Sequence, residues 1–399
     1  MPGINFLHTP GPTHIPQSVL NAMSRQPLDF VDSRFEDLVR ECFEELPPLF
    51  DTDGEVFLYA SNGHGAWEAT TRNLIGPNDQ VLMLETGFFS QRWVECTEML
   101  GVQTTVLKGE PGLAVDPSRI TETLGDDKDH SIRAVYVAHT DTASGVRTDL
   151  AEVRAAIDAA NHPALLVVDA IASFAAEPLS MADTNIDVVV VSVQKGMMLP
   201  PGMSLTAVSG RALERSATLN APNCYWSWKE RQKELVYQKF CGTPPTHMLF
   251  GLRQALHLIK SEGLTQIQDR HALLGGFVRD CVSVWTQSEG IDFYAREPSQ
   301  RSNSVTPVII DQPDAMAEAA RVLARTQLDV SVAGGFGPTA GKMIRIGHLG
   351  DMNLPMIIGC LGTLEAAMHQ SGVQFRSGLD DALRKLPDFT SGNFSLTEG

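Results

Sequence analysis

The sequence predicts an α/β fold in which a mostly parallel central sheet carries helices on both faces. Strand and helix patterns alternate through the first two thirds of the chain, and several strands are uninterrupted apolar runs, such as the four valines at 188–191. Runs of this kind are typical of strands covered on both faces, which belong to parallel sheets. The alternation itself favours parallel strands joined by right-handed crossovers.

The individual elements follow from the apolar spacing. Leu150, Val153, Ala156 and Ile157, for example, share one helical face, which predicts a helix at 149–160. By the same reasoning we expect helices at 66–74 and 88–100, strands at 56–59, 80–85, 134–139, 164–169 and 204–209, and a strand that ends near residue 194.

A second, smaller domain is expected at the C-terminal end. From about Gly263 the pattern changes to longer helices, at 264–287 and 315–324, with a strand at 305–310 between them, which indicates an α+β arrangement. We therefore expect three parts: an N-terminal segment over residues 1–20, a large domain over 21–263 and a small C-terminal domain over 264–399.

Composition bounds the possible partners. The 399 residues are 43% hydrophobic and 20% charged, which is ordinary for a globular protein with sizeable cores. A formal net charge of -17 without a basic block argues against binding to nucleic acid or to an anionic membrane surface. The six cysteines are scattered, and neither a signal peptide nor an apolar run of about 20 residues is visible, so we expect a cytoplasmic protein with free thiols.

Two charged side chains come at the ends of apolar runs. Asp169 ends one run, and Lys195 follows another just past its carboxyl end. In open α/β sheets, ligands bind at the edge that the carboxyl ends of the strands form. A lysine amine forms a Schiff base with pyridoxal phosphate, and an aspartate keeps the pyridine nitrogen of that cofactor protonated. Either residue alone is more often a loop or capping residue, so it is the pair that indicates this chemistry.

A second interpretation uses the same lysine. Ser192 and Lys195 match the S-x-x-K pattern of serine acyl-transferases, in which Ser192 would be the nucleophile. In that motif the serine opens a helix, whereas here a valine run precedes it and Gly196 and Pro200–Gly202 follow. A helix is therefore not expected, and this hydrolase interpretation is the weaker one.

Other strand ends carry groups that suit the same cofactor. Ser61–Gly65 joins a strand to a helix, and its small residues let backbone N–H groups approach a phosphate. Phe88 and Phe89 follow the next strand, where a ring could stack on a flat cofactor. Thr142 comes just after a further strand. Each has an ordinary structural explanation, and their agreement supports a cofactor site at one sheet edge.

Arg345 is a candidate for binding a carboxylate. It lies within an apolar, strand-like run, where a charged side chain is costly to bury unless it is paired. Its planar guanidinium can hold a carboxylate through two parallel hydrogen bonds. Two partners are open at this point: the carboxylate of a substrate, or an Asp or Glu of the chain itself.

Taken together, these residues resemble the class V (fold type I) aminotransferases that depend on pyridoxal phosphate, specifically the alanine/serine/aspartate–glyoxylate group. The resemblance covers nearly the whole chain and rests on Pro10–Pro16, Gly63–Glu68, His139–Val146, Val168–Ser173, Gln194–Gly202 and Arg345–Gly350. It implies a transamination from a small amino acid (serine, alanine or aspartate) to glyoxylate or pyruvate. It also implies a homodimer with shared active sites.

The resemblance assigns roles to single residues. Lys195 matches the lysine that is bonded to the cofactor and Asp169 its pyridinium partner, so these are the expected catalytic residues. Arg345 matches the arginine that binds the substrate carboxylate, and Gly11 the N-terminal turn that lines the pocket. The other expected cofactor contacts are Phe89 at the ring face, Thr142 near the ring oxygen, and Gly63, His64, Gln194 and the partner subunit's Thr243 at the phosphate.

Two positions depart from the pattern of the glyoxylate enzymes. Phe240 stands where those enzymes usually have a tyrosine that reaches the phosphate, and phenylalanine also occurs there in pyridoxamine–pyruvate aminotransferases. Those enzymes, however, have a second arginine where this chain has Phe336. Pyridoxamine–pyruvate chemistry is therefore the minor alternative, and a lyase that uses pyridoxal phosphate on the same fold is another.

Overall fold

The computed structural model describes residues 4–219 and 223–387, with the exception of the Asp314 side chain. The outer ends of the expected N-terminal and C-terminal parts, residues 1–3 and 388–399, lie outside the described residues. The strands are β1 (Phe6–His8), β2 (Glu55–Tyr59), β3 (Gln80–Glu85), β4 (Gln103–Lys108), β5 (Ile132–Ala138), β6 (Leu165–Asp169), β7 (Val188–Ser192), β8 (Ser204–Val208), β9 (Ile291–Phe293), β10 (Val305–Ile310), β11 (Val330–Gly334) and β12 (Met343–Gly347). The helices are α1 (Gln17–Met23), α2 (Ser33–Glu45), α3 (Gly63–Leu74), α4 (Phe88–Met99), α5 (Pro117–Asp126), α6 (Leu150–Ala159), α7 (Met181–Thr184), α8 (Gly210–Thr218), α9 (Trp228–Arg231), α10 (Thr246–Glu262), α11 (Leu264–Trp285), α12 (Met316–Gln327), α13 (Leu354–Gln370) and α14 (Leu379–Arg384).

Seven strands form one large sheet in the order β2-β8-β7-β6-β5-β3-β4. Strands β7, β6, β5, β3 and β4 are parallel to one another, and β8 runs antiparallel to both of its neighbours. Strand β2 therefore runs in the same direction as the parallel set, and its carboxyl end meets theirs at one edge. This mostly parallel sheet confirms the predicted fold class.

The apolar runs form this sheet because both of its faces are covered. Alternate residues of one strand belong to different cores: Leu82 and Leu84 pack in a cluster on one face, and Val81 and Met83 pack in a cluster on the other. This is the two-residue period of a strand. Helices α3 and α4 lie over the second face, and α2, α6 and α10 contribute to the first.

The small sheet has the order β1-β11-β12-β10-β9 and is antiparallel except for the pairing of β1 with β11. The N-terminal strand β1 thus belongs to this sheet, while α1 contacts α10. A separate apolar cluster begins along α11 at Leu274, whereas Ile267 on the same helix still packs in the large cluster. The division at residue 263 stays a prediction.

The helix after β2 begins earlier than the apolar spacing indicates. Helix α3 starts at Gly63 rather than at residue 66, because the Asn62 side chain accepts hydrogen bonds from the N–H groups of His64 and Gly65, at 3.1 and 3.4 Å. The predicted phosphate turn is therefore the first turn of a helix. None of the helices in the described ranges is long and apolar enough to cross a membrane.

Candidate active site

A cavity of about 260 Å³ lies at the carboxyl edge of the large sheet. Eight of the ten residues expected at the site line it: Gly11, Gly63, His64, Phe89, Thr142, Asp169, Gln194 and Lys195. They come from the ends of five strands and from the N-terminal turn, so tertiary folding alone brings them together. The other two, Arg345 and Thr243, lie outside this lining.

Lys195 follows β7 and is buried, with 9% of its surface exposed. Its amine donates a hydrogen bond to the carbonyl oxygen of Pro10. Burial lowers the pKa of this amine to about 8; the positive charge of Arg345 adds to the effect, and Asp169 and Asp141 oppose it. At neutral pH a larger fraction of this amine is therefore unprotonated than of an ordinary lysine.

The N-terminal turn closes over the lysine and requires a glycine. Gly11 has a φ of +121°, and a Cβ atom there would lie 2.4 Å from Cδ and Cε of Lys195. Thr13 fixes the turn, since its N–H donates to the Gln194 carbonyl at 3.1 Å and its hydroxyl to the Lys195 carbonyl at 3.1 Å. The turn thus confines the lysine side chain to the cavity.

Asp169 is the last residue of β6, and its buried carboxylate has a donor on each oxygen. The Ile171 N–H donates to Oδ1 at 2.7 Å, and the Trp67 indole N–H donates to Oδ2 at 3.0 Å. Burial raises the pKa of this carboxyl to about 7; Asp141 raises it further, whereas the two donors and Lys195 lower it. A cation placed against these oxygens would favour the ionised form.

Trp67 is a site residue that sequence reasoning missed. It lies in the segment Gly63–Glu68, which carries part of the family resemblance, but only Gly63 and His64 of this segment are predicted as site residues. The signal was a tryptophan one turn into a helix that starts at the same sheet edge as Asp169. Its ring is 2% exposed, and its plane is tilted against that of His64 with the centroids 4.5 Å apart.

The end of the cavity at α3 presents hydrogen-bond donors. The Gln194 side-chain oxygen accepts a hydrogen bond from the Ser192 hydroxyl, which leaves the Gln194 amide nitrogen without a partner among the described residues. A Cβ atom at Gly63 would lie 2.4 Å from Cδ1 of Ile171, so a larger residue at the first position of α3 would displace the end of the Ile171 side chain. Burial of His64 lowers the pKa of its imidazole, and the nearby Arg92 adds to this.

The same region bears on the serine acyl-transferase interpretation. Ser192 is fully buried within β7, and its hydroxyl is engaged by Gln194. The residues that follow form turns rather than a helix. Ser192 therefore lacks both the helical setting and the exposure that a nucleophile of that class requires.

Asp141 organises the neighbouring loops. Its buried carboxylate accepts hydrogen bonds from the N–H groups of Ser90 and Ala143, both at 2.9 Å, and from the Ser90 hydroxyl at 3.1 Å. These bonds tie the first turn of α4, which carries Phe89, to the loop that carries Thr142. Gly87 leaves the space for this carboxylate, since a Cβ atom there would lie 2.6 Å from its Cγ.

Arg345 lies in β12 and is 5% exposed. Nε donates to the carbonyl of Gly334 at 2.7 Å and Nη1 to the carbonyl of Thr142 at 2.9 Å. No carboxylate in residues 4–219 and 223–387 lies within ion-pair distance of the guanidinium, so the internal salt bridge is not formed there. Burial lowers the pKa of this guanidinium to about 10, although Asp141 acts in the opposite direction.

A cluster of three phenylalanines, Phe88, Phe89 and Phe336, lies beside this arginine. The guanidinium lies over the ring of Phe336, 4.5 Å from its centroid. Phe336 in turn stacks on Phe88 at 4.5 Å and meets Phe89 edge-on at 5.8 Å. Through Phe89 and Thr142, Arg345 adjoins the cavity although it does not line it.

Thr243 is far from this cavity within one chain. It is exposed and borders a separate surface depression together with Phe30, Tyr237 and Pro244. Phe240, three residues earlier, is buried and contacts Phe43 edge-on. A role for Thr243 at the phosphate therefore requires a second copy of the chain.

The family model described as aminotransferase class V matches residues 5–345. The chain is 35% identical to the serine–glyoxylate aminotransferase of Methylorubrum extorquens, with 94% of each chain covered. It is 32% identical to the L-aspartate–glyoxylate aminotransferase of Paracoccus denitrificans, with 94% of this chain and 93% of the relative covered.

A solved structure gives the same relationship. The pyridoxamine–pyruvate aminotransferase of Mesorhizobium loti superposes with a TM-score of 0.86 at 27% identity, over 96% of each chain. The chain belongs to the class V aminotransferases. Membership confirms the predicted family and the predicted class of enzyme, and it implies pyridoxal phosphate as the cofactor.

The residues of this class V aminotransferase fit that cofactor. A pyridine ring needs an acid at its nitrogen, and Asp169 is a buried carboxylate at the cavity whose pKa is raised by burial, so that a cation against it would favour its ionised form. An aldehyde needs an unprotonated amine, and Lys195 supplies one in the same cavity. A phosphate needs oriented donors, which the first turn of α3 and the Gln194 amide provide.

Proposed function

We propose that this aminotransferase binds pyridoxal phosphate in the cavity at the sheet edge and transfers the amino group of a small amino acid to glyoxylate. The observation that carries the proposal is the shared cavity of Lys195 and Asp169, a buried amine and a buried acid with opposite pKa shifts. Both relatives described above are named for glyoxylate, while their named donors, serine and aspartate, differ. The proposed donors are therefore serine, alanine or aspartate, and pyruvate is a second acceptor.

Lys195 has two tasks in this proposal. With pyridoxal phosphate present, its amine would be the group that bonds to the cofactor aldehyde, and when free, Nζ would take the proton from the α-carbon of the amino acid and later return it. A pKa of about 8 suits both tasks, because proton transfer is most effective when the pKa of the group lies near the working pH. When bound, the cofactor withdraws electrons from the bonds of that α-carbon.

The other residues of the site would hold the cofactor and orient it. Asp169 would accept a hydrogen bond from the protonated ring nitrogen, Phe89 would pack against the ring face, and Thr142 would lie near the ring oxygen; all three line the cavity. Gly63, His64 and Gln194, which also line it, would hold the phosphate at the start of α3. The Asn62 side chain accepts from the N–H groups of His64 and Gly65, and it would turn away if a phosphate accepted from these two groups instead.

Arg345 is proposed to bind the substrate carboxylate. Two of its nitrogens are held by backbone carbonyls, and Nη2 has no partner among the described residues. Held in this way, the guanidinium presents its remaining donors with little loss of conformational entropy. A carboxylate bound there would be next to Thr142 and Phe89, and so beside the cofactor ring.

The visible absorption spectrum of the purified protein tests the proposal. We expect a band from the lysine-bound cofactor that bleaches with one of serine, alanine or aspartate and returns when glyoxylate is added. Pyruvate in place of glyoxylate measures the second acceptor. A protein that shows no band after incubation with pyridoxal phosphate would refute the proposal.

Pyridoxamine–pyruvate chemistry is the second candidate. It is favoured by the likeness to the Mesorhizobium loti enzyme and by Phe240, and disfavoured because Phe336, which stands in place of a second arginine, is stacked between Arg345 and Phe88. Pyridoxamine and pyruvate supplied together discriminate the two. Formation of alanine and pyridoxal at a rate above that of the glyoxylate reaction would replace the first candidate.

We further propose a homodimer in which the partner subunit's Thr243 reaches the phosphate. Mixing Lys195→Ala subunits with Thr243→Ala subunits at low cofactor concentration tests this. In a mixed dimer with shared sites, one site has both residues intact and the other has neither, so activity should rise above that of either parent. Mixing without recovery, in dimers shown to have exchanged subunits, contradicts shared sites.

The cytoplasm is the proposed compartment. All six cysteines are free, and Cys42, Cys281 and Cys360 are buried as thiols. Reducing compartments preserve thiols in this state. Cell fractionation with an antibody to the protein tests it, and recovery from an oxidising compartment would contradict it.

A further inference from the structure

The hydrogen bond between Trp67 and Asp169 joins residues that are 102 positions apart. The indole ring belongs to a buried aromatic column. Trp67 stacks on Trp93 with centroids 5.5 Å apart and planes at 14°, and Trp93 stacks on Tyr136 at 4.6 Å and 24°. The column runs from α3 through α4 to β5, and Trp67 is its member at the cavity.

Packing alone does not explain the direction of the Trp67 indole N–H. Trp93, in the same column, is fully buried, and its Nε1 has no hydrogen-bond partner among the described residues. The column therefore tolerates an unpaired indole N–H. Trp67, by contrast, lines the cavity and aims its N–H at the one carboxylate there that faces the ring nitrogen in the proposed function.

The two donors on Asp169 determine what this carboxylate can do. With the Ile171 N–H on Oδ1 and the Trp67 N–H on Oδ2, rotation about the Cβ–Cγ bond would break both hydrogen bonds. Each oxygen keeps a second lone pair for a ligand. Both bonds favour the ionised form, against the burial and the nearby Asp141 that favour protonation.

We propose that Trp67 is a positioning residue, which orients Asp169 and keeps it ionised for the ring nitrogen of the cofactor. The inference rests on the proposed function and adds a residue to it. The other charged or titratable groups around the pair are Asp141, Lys195 and His64. The ring of His64 contacts that of Trp67, and the charge of Arg92 lowers the pKa of His64 further after burial. None of these donates a hydrogen bond to Asp169.

The experiment compares Trp67→Phe with Trp93→Phe in the cofactor-loaded protein. Each variant loses one indole N–H and keeps a ring in the column, but only the first loses a hydrogen bond to Asp169. Three quantities are measured: the dissociation constant for pyridoxal phosphate, the pH dependence of the visible band, and kcat and KM for the best amino donor. Circular dichroism and the melting temperature report whether each variant is folded.

For Trp67→Phe we expect kcat to fall by ~10- to 100-fold, the loss typical of one hydrogen bond to a charged group, while KM for the donor changes by less than ~3-fold. Cofactor affinity should fall by about 10-fold for the same reason. The acid limb of the pH profile should move up by roughly one unit, since Asp169 then protonates more easily. Trp93→Phe should stay within about 2-fold of the parent in each quantity, because it removes an N–H that has no partner in the described part of the chain.

Equal behaviour of the two variants, whether both unchanged or both impaired, would overturn the inference. If Trp67→Phe does not fold, benzothienylalanine is placed at position 67, which replaces only the indole N–H by sulfur in a ring of the same shape. The same three measurements on that variant then test the inference. Failure of the proposed function is distinguishable, because the parent protein itself would then bind no cofactor. A parent that is active beside an unaffected position-67 variant refutes the inference alone.

Discussion

The large-sheet side and the small-sheet side of the candidate active site stabilise their buried charges in different ways. On the large-sheet side, the carboxylates of Asp169 and Asp141 are buried with hydrogen-bond donors already in place from the backbone, Trp67 and Ser90. On the small-sheet side, Arg345 meets only backbone carbonyls and the ring of Phe336, and no carboxylate among the described residues pairs with it.

This difference indicates which ligand each side holds. A side whose polar atoms are fixed in advance suits a group that stays bound through many turnovers, because little has to rearrange. A buried guanidinium without a counterion is stabilised by each carboxylate that arrives, and it returns to the same state when the carboxylate leaves. We therefore propose that the cofactor binds at the large-sheet side and the substrate carboxylate at the small-sheet side.

The largest effect should come from Lys195→Ala, which removes the only amine at the large-sheet side of the described cavity. We expect kcat to fall by at least ~10³-fold, as for the loss of a proton-transfer group, and the covalent cofactor band to disappear. Lys342→Ala is the matched control, because Lys342 pairs with Asp311 on the surface. Undiminished transamination by the Lys195 variant would contradict the assignment.

Asp169→Asn should come next, with a fold close to that of the parent and a kcat lowered by roughly 10²- to 10³-fold, since the ring nitrogen loses its anionic partner. Asp187→Asn is the control, because Asp187 is a buried carboxylate at the opposite end of β7 that pairs with Arg211. The control should lower the melting temperature and leave the cofactor spectrum unchanged. The reverse pattern would show that Asp169 serves stability alone.

Arg345→Lys tests the substrate side. A point charge cannot reproduce the two-pronged grip on a carboxylate, so KM for the amino donor should rise by ~10- to 100-fold while the cofactor spectrum stays the same. Arg279→Lys changes another largely buried arginine, which donates to Ser302 and Asn303 and lies outside the cavity lining. If both variants raise KM equally, Arg345 acts through packing rather than through the substrate.

The smallest expected effect concerns the electrostatic interaction between Arg345 on the small-sheet side and Lys195 on the large-sheet side. Because the pKa of Lys195 is lowered to about 8, the unprotonated amine is the majority form above that pH, and its fraction falls below it. The rate at which apoprotein captures pyridoxal phosphate should therefore fall by roughly tenfold per pH unit below the midpoint. Arg345→Gln should shift the midpoint upward, since the arginine charge is one cause of the lowered pKa. An unshifted midpoint, measured by stopped-flow absorbance, would show that the two sides are independent.

Much of the cofactor side could be predicted from the sequence. The bounds of β3 and β10 agree with the apolar pattern, and Asp169, Lys195 and Phe89 do lie at one edge. Parallel strands place their carboxyl ends together, so residues just past such strands meet whatever their separation along the chain.

The features that the sequence pattern could not predict depend on hydrogen bonds between particular atoms. Helix α3 begins at Gly63 rather than at the predicted residue 66, because the side-chain oxygen of Asn62 accepts hydrogen bonds from two N–H groups. Asp141 lies in the segment His139–Val146, but the sequence pattern does not predict its role. Its carboxylate joins the first turn of α4 to the loop that follows β5. A capping or bridging role depends on which N–H group comes within 3 Å, and periodicity carries no such information.

By itself, the sequence determined the class of fold, the edge at which the site forms, and the lysine and aspartate that meet there. These follow from local chemistry: apolar runs become covered strands, and the residues after them share an edge. Only the tertiary structure decided that the indole of Trp67 bonds to Asp169, that Gly11 lies against Lys195, and that Arg345 has no acidic partner within residues 4–219 and 223–387. The reason is physical, because hydrogen bonds and close contacts between distant segments depend on side-chain directions that only the packed chain defines.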